Sequence, residues 1–380
     1  MKKLLKFIII ILGMSLVSLG TALAIEKPIK IGCVTTLSGP YASVGEDLKA
    51  GIELAIEEIN SSGGVLGQKL IVIFEDDTVK PSVAATKTEK LILQDKVNFI
   101  TGTVSSGCTL AMMKVVEKYK VPMIVSVSES AKITREEKNK YTFRLPAHVF
   151  MTNPLLAKWF IENVGPKIYL FAADYDWGWD SNNAYKEGAT KSGGQIVGEA
   201  FFPVGTKDFA PYFAKIKMSN PDALLLTAGG NDAISLLTQL KEFGLSKSIK
   251  IGGAGTIVVE TNFPALGQSA EGFMAVDFYA ESLDNPANKK FVTDYRKRFG
   301  RGPTKYSILS YEGIYWLAQI IQKVGSIEDV DKLIAALEGS SFKGPQGAKV
   351  MDKSSHQALL PIYLITIKDS KRVLVNEMKY

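Results

Sequence analysis

The chain is poor in the residues that carry most catalytic and metal chemistry. Its 380 residues include two histidines, His148 and His356, and two cysteines, Cys33 and Cys108. No Cys-x-x-Cys or His-Glu-x-x-His occurs, so no metal site is expected. The phosphate-loop pattern G-x-x-x-x-G-K-[ST] is missing, as is the G-x-S-x-G elbow of serine hydrolases. "GGAG" at 252–255 is glycine-rich but lacks the spacing of a dinucleotide fingerprint. A hydrolase would need a histidine beside a serine, and only His148 is plausibly placed. No catalytic residue and no cofactor are therefore expected. No basic tract interleaved with aromatics is present, which argues against nucleic acid as a partner.

Long apolar runs are also lacking after the first residues, so no later segment reads as a membrane span. The start itself, "MKKLLKFIIIILGMSLVSLGTALA", has a lysine-rich end, an apolar centre and Ala22-Leu23-Ala24. Those are the parts of a signal peptide cleaved after Ala24, and they place the protein in the periplasm. No cysteine stands at the cleavage point to carry a lipid. The segment holds three lysines and no acid, so its removal takes the formal charge from +6 to +3. Export makes a Cys33–Cys108 disulfide chemically possible. Cys33 sits inside a predicted strand, and a buried free thiol is the preferred reading.

The chain as a whole is ordinary globular material, 46% hydrophobic and 22% charged, in a length that suggests two domains. Strands and helices alternate. "IKIGCVTT" (29–36), "KLIVIFED" (69–76), "VNFITG" and "VPMIVSVS" (121–128) read as strands separated by helices. Gly63-Gly64 ends the first helix, and Pro81 opens the second. After a short extended piece at 141–148 the rhythm restarts. Strands are expected at 166–174, 194–202, 222–230 and 250–255, with helices near 149–163, 178–192, 208–218 and 231–244. Further helices near 287–299, 306–324 and 327–338 precede strands near 357–367 and 372–376. The fold class is α/β: two similar lobes, each a parallel sheet flanked by helices. The expected division is 25–146 plus 276–342 for lobe 1 and 147–275 plus 343–380 for lobe 2, with 1–24 as signal peptide. The repeated crossings make a hinge.

In such sheets ligands bind beyond the carboxyl ends of the strands. The loops at those ends are rich in chemistry. "TVSSGCT" brings Ser105, Ser106 and Thr109 to a helix start. One hydroxyl suffices for a cap. "VSVSESA" supplies a second hydroxyl-rich turn beside it, and the pair points to a site for an anion at helix N–H groups. "DYDWGWD" (174–180) places Tyr175 and Trp177 among aspartates, where core packing is unexpected and a stacking surface reads better. Glu57, Glu58 and the Arg135–Lys138 run read as solvated surface. Of Tyr306, Tyr311, Tyr315 and Trp316 most should be core, with Tyr311 the one to reach the cleft.

"IKIGCVTTLSGPYASVGEDLKAGIELAIEEINSSGGVLGQKL", with "DD", "GTVSSGCT", "DYDWG" and "AEGF" in order after it, resembles the leucine/isoleucine/valine-binding protein family. These are periplasmic solute-binding components of ABC importers. The resemblance covers essentially all of the chain beyond the signal peptide. It implies the type I binding-protein fold with a three-crossing hinge, closure on a small-molecule ligand, and docking to an inner-membrane permease; the protein is expected as a monomer. Carried over by motif, the implied ligand-binding residues are Tyr41, Ser105, Ser106, Val127, Ser128, Glu129, Trp177, Gly229, Gly230, Asn231 and Ala254. Two departures stand out. Leucine-type binders have a tyrosine where this chain has Val44, and an acid that pairs the ligand ammonium where it has Ala254. An α-amino acid is therefore one candidate ligand among amides such as urea and aromatic or keto acids. Glu129 either replaces the lost charge, points away or meets a donor. The expected function is an extracytoplasmic solute-binding component of an ABC importer; the alternative is the ligand-binding subunit of a periplasmic sensor.

Overall fold

The computed structural model describes residues 27–378. The expected signal peptide lies outside the described residues. The first sheet holds β1 (Ile29–Thr35), β2 (Leu70–Asp76), β3 (Phe99–Gly102), β4 (Met123–Val125) and β5 (Thr142–Arg144). All run parallel in the order β2-β1-β3-β4-β5, with Ile31 of β1 beside Val72 on one flank and Phe99 on the other. Its connections are the helices α1 (Ala42–Ser61), α2 (Pro81–Leu93) and α3 (Ser106–Tyr119). β1 and β3 are buried at almost every position. That is what a central strand covered by helices on both faces requires, and why they read as apolar runs instead of alternating ones.

The second half repeats the plan. Helix α4 (Val149–Asn163) leads to β6 (Lys167–Ala173), α5 (Asp176–Lys191), β7 (Gln195–Phe202), α6 (Ala210–Met218), β8 (Ala223–Thr227), α7 (Gly230–Glu242), β9 (Lys250–Ala254) and β10 (Met274–Asp277). These five strands are parallel, and β14 (Ile362–Lys368) and β15 (Lys371–Met378) extend the sheet antiparallel past β10.

Between β10 and β14 the chain returns to the first lobe. Helices α8 (Pro286–Phe299), α9 (Lys305–Val324) and α10 (Val330–Leu337) lie there. α9 packs along α1 so closely that a Cβ at Gly51 would sit 2.0 Å from the Ser307 carbonyl oxygen. A small antiparallel sheet follows, β11 (Ser341–Gly344), β12 (Gly347–Met351) and β13 (Ala358–Leu359). The hairpin over 341–351 was not expected from the sequence. Of the tail assigned to lobe 2 from residue 343 onward, β14 and β15 join the second sheet. β11–β13 instead rests on α9, where Phe342 stacks on Trp316 with ring centroids 5.7 Å apart and Lys349 pairs with Glu312.

The chain passes between the sheets after β5, after β10 and after β13. Arg144, buried at the first passage, donates to Gln357 Oε1 at 2.6 Å and to the Ser130 carbonyl, so two crossings are tied together. Both cysteines are buried free thiols in separate clusters, Cys33 beside α1 and Cys108 beside α2. Burial pushes the Cys108 thiol up to about 12.

Candidate functional site

Four strands end on one rim and hand over to helices there, two from each lobe. The N-cap residues are Tyr41 for α1, Ser105 for α3, Tyr175 for α5 and Gly229 for α7, and none of them caps its helix with a side chain. Elsewhere His148, Asn285, Thr304 and Asp329 cap the helices they precede, while α2 and α6 start at Lys80 and Phe209 without a side-chain cap. An uncapped start leaves backbone N–H groups and the positive end of the helix dipole available to a bound group.

Between these starts lies a cavity lined by Tyr41, Val44, Val104, Ser106, Val127, Glu129, Tyr175, Trp177, Gly229, Thr256 and Tyr306. Tyr41 of the first lobe faces Tyr175 of the second at a centroid distance of 6.4 Å, and Tyr175 lies 6.0 Å from Trp177. The Trp177 Nε1–H is buried without a hydrogen-bond partner. Ser106 Oγ accepts from the Ser130 N–H at 3.3 Å, which leaves its own hydroxyl proton free to donate. Thr256 donates to the Ala228 carbonyl at 2.7 Å. The cavity is therefore largely aromatic and apolar, and Ser106 and Trp177 offer it free donors. Its free volume is about 30 Å³, so a solute enters only as the walls part.

The lobes meet around it. Lys132 Nζ of the first pairs with Asp176 Oδ1 of the second at 2.6 Å. Asp180 Oδ2 accepts from the Ala131 N–H at 2.9 Å and from the Ser130 hydroxyl. The Asn231 N–H donates to the Pro40 carbonyl at 3.1 Å.

One carboxylate, Glu129, faces the cavity, and it is already matched. Its Oε1 accepts from Lys305 Nζ at 2.8 Å. Lys305 in turn lies 3.3 Å from Asp277 Oδ1, and Asp277 Oδ2 pairs with Arg372. Arg372 Nη1 is 3.7 Å from Glu260. Burial raises the Glu129 carboxyl while Lys305 opposes that. Burial likewise lifts Glu260, to about 7.

Of the residues named from the sequence, Tyr41, Ser106, Val127, Glu129, Trp177 and Gly229 line the cavity. The others do not line it. Ser105 is the α3 N-cap without a side-chain capping bond, although a cap was expected in this turn. The Ser128 hydroxyl is committed to Thr109 Oγ1 at 2.6 Å and to the Thr103 carbonyl at 2.7 Å. Gly230 carries the turn into α7, the Asn231 side chain is exposed, and Ala254 packs with Val149, Trp177 and Ala184. Tyr311, expected in the cleft, points the other way and donates to Glu58 at 2.6 Å, so Glu58 is not the solvated residue it resembled. Tyr306 takes the cleft position instead. Lys305, Val104 and Thr256 were missed. His148 spends Nδ1 on the Phe150 N–H, and burial pushes it down to about 3, so it is no base for a serine.

Residues 28–372 match the periplasmic binding protein family. A Leu/Ile/Val-binding protein homolog of Brucella melitensis biotype 1 is 27% identical over 359 residues, 93% of this chain and 90% of that one. Among solved structures, an ABC transporter solute-binding protein from Rhodopseudomonas palustris BisB5, in complex with 3,4-dihydroxybenzoic acid, superposes with a TM-score of 0.87 at 28% identity, covering 93% of this chain and 97% of that one. Another from R. palustris, in complex with 4-hydroxybenzoate, gives 0.87 at 26% with the same coverage, 93% and 97%. The uncapped helix starts, the two facing lobes and these matches agree: the chain belongs to the periplasmic binding protein family, as the extracytoplasmic, non-catalytic solute-binding component of an ABC importer.

Proposed function

We propose that the solute is a small aromatic carboxylate, held between Ser106 and the α3 start on one lobe and Trp177 with Tyr175 on the other. The observation that carries this reading is the convergence of four uncapped helix starts on one cavity whose single carboxylate already has a lysine partner. Such a cavity offers donors and positive potential to an anion, and no unmatched acid to an ammonium group. The rings of Tyr41, Tyr175, Trp177 and Tyr306 supply flat apolar contact for an aromatic body. That two relatives were solved with hydroxylated benzoates supports the same class.

The mechanism is a population shift. The open form exposes the cleft, and contacts made to both lobes at once favour the closed one. The residues proposed to touch the solute are Tyr41, Ser106, Val127, Glu129, Tyr175, Trp177, Gly229, Thr256 and Tyr306. In this reading 341–359 belong to the first lobe and β14–β15 to the second. The protein acts in the periplasm after loss of residues 1–24, as a monomer, and hands its solute to an inner-membrane permease.

A thermal-shift screen of benzoate, 4-hydroxybenzoate, leucine, valine and urea tests this. Ligand at about 100 times its dissociation constant should stabilise the protein by about 2.7 kcal/mol. The aromatic acids should raise the melting temperature and urea should not. A largest shift with leucine or valine would overturn the reading.

A further inference from the structure

Lys305 is nowhere in the lining of the cavity, yet it decides the charge of the one acid that is. Its ammonium group is almost wholly buried, 2.8 Å from Glu129 Oε1 and 3.3 Å from Asp277 Oδ1. It also lies over the Phe278 ring, 4.7 Å from the centroid. Thr304, capping α9, fixes the turn from which Lys305 projects. The other charges near Glu129 are Asp277, on the far side of Lys305, and Arg144, whose guanidinium is committed to Gln357, Ser130 and Thr134. Lys305 is therefore the direct partner of Glu129 among the described residues.

We propose that Lys305 is a specificity-determining residue: by neutralising Glu129 from behind, it makes the cleft accept carboxylates and refuse solutes that bring an amine. The physical ground is the cost of an unmatched charge in a closed, desolvated cleft. With Lys305 present, Glu129 needs nothing from the solute, and an ammonium group placed beside it would compete with a fixed lysine. Without Lys305, Glu129 would need a cation from the solute and repel an anion. The inference deepens the reading above, because it rests on a solute seated against Glu129.

The test compares two probes with one ring, 4-hydroxybenzoate and 4-hydroxybenzylamine, by titration calorimetry of wild type and variants at one and the same pH. Lys305→Met should weaken the carboxylate by about tenfold or more and create measurable binding of the amine. Glu129→Gln/Lys305→Met should restore the carboxylate and abolish the amine. A merely structural lysine would lower both affinities together and would not be rescued, and that outcome overturns the proposal. Should Lys305→Met fail to fold, Glu129→Gln alone decides. It must bind the carboxylate at least as tightly as wild type, and a tenfold loss would refute the charge argument. If wild type binds no aromatic carboxylate, the proposed function falls. The amine arm still reads Lys305, and absence of amine binding by a folded Lys305→Met would sink the inference separately.

Discussion

Glu260 shows how much a single buried acid can weigh. Both carboxylate oxygens are buried without hydrogen-bond partners. Burial holds the group at about 7 against an ordinary 4.5, with Arg372 pulling it down and Asp277 and Glu281 pushing it up. Between those two values the native protein binds more protons than the unfolded chain. Stability therefore falls as pH rises through that window and levels off above it. Glu260→Gln removes the ionisation. Its unfolding free energy, read by urea titration, should match wild type below about pH 4.5 and exceed it above about pH 7, by up to about 3 kcal/mol. Equal midpoints for the two proteins at about pH 8 would mean that Glu260 ionises in the folded state without penalty. Nothing near Glu260 in the sequence, "VVETNF", marks it as buried. The partners that define it, Asp277 and Arg372, are distant in the chain and meet it only through the second sheet.

At the scale of elements, the helix starts matter more than the helices. α7 begins with Gly230 at φ +52, and a Cβ there would come 2.3 Å from the Pro40 carbonyl oxygen and 2.8 Å from Tyr41 Cδ1. This is where the second lobe touches the loop leading into α1. Gly230→Ala should block that approach, at the added cost of a left-handed backbone at the start of α7. Solute affinity should fall by about tenfold or more, since only the fraction able to close binds tightly. Scattering should show a larger radius with solute than wild type has. An unchanged affinity would place closure elsewhere. Much of this level was legible in the sequence. Apolar runs such as "ALLLT" mark central strands, and turns such as "TVSSGCT" and "DYDWGWD" mark their carboxyl ends. The α9 face was not. Tyr306 and Tyr311 lie on one helix, and apolarity alone does not say which turns toward the cleft. The contact of α9 with α1 decides it by giving Tyr311 to Glu58. The β11–β12 hairpin was lost for a related reason: β12 buries Lys349 and exposes Val350, so its polarity runs against the usual apolar-in alternation, and only the Lys349–Glu312 pair on α9 explains it.

For the whole molecule, closure has to be reversible, so the contacts between lobes outside the cavity should be few and polar. Polar ones include Lys132 with Asp176, Asp180 with Ser130 and Ala131, and Asn231 with Pro40, while Lys132 over Trp179 and Arg135 over Phe150 add ring contacts. Asp180 is buried, 7% exposed, and it binds the same turn whose Ser130 N–H supports Ser106. It therefore couples closure to the shape of the solute site without touching the solute. Loss of a charge-assisted hydrogen bond costs about 1.5–3 kcal/mol, and here the loss falls on the closed form alone. Asp180→Ala should raise the dissociation constant by roughly tenfold or more by depleting the closed form, with the dissociation rate taking most of the change. Its preference among solutes should stay that of wild type, because every group lining the cavity is kept. A change in preference would assign Asp180 to the solute site. A wild-type dissociation constant would mean that solute contacts alone hold the lobes together, with the Asp180 bonds offset by what each group gives up in water.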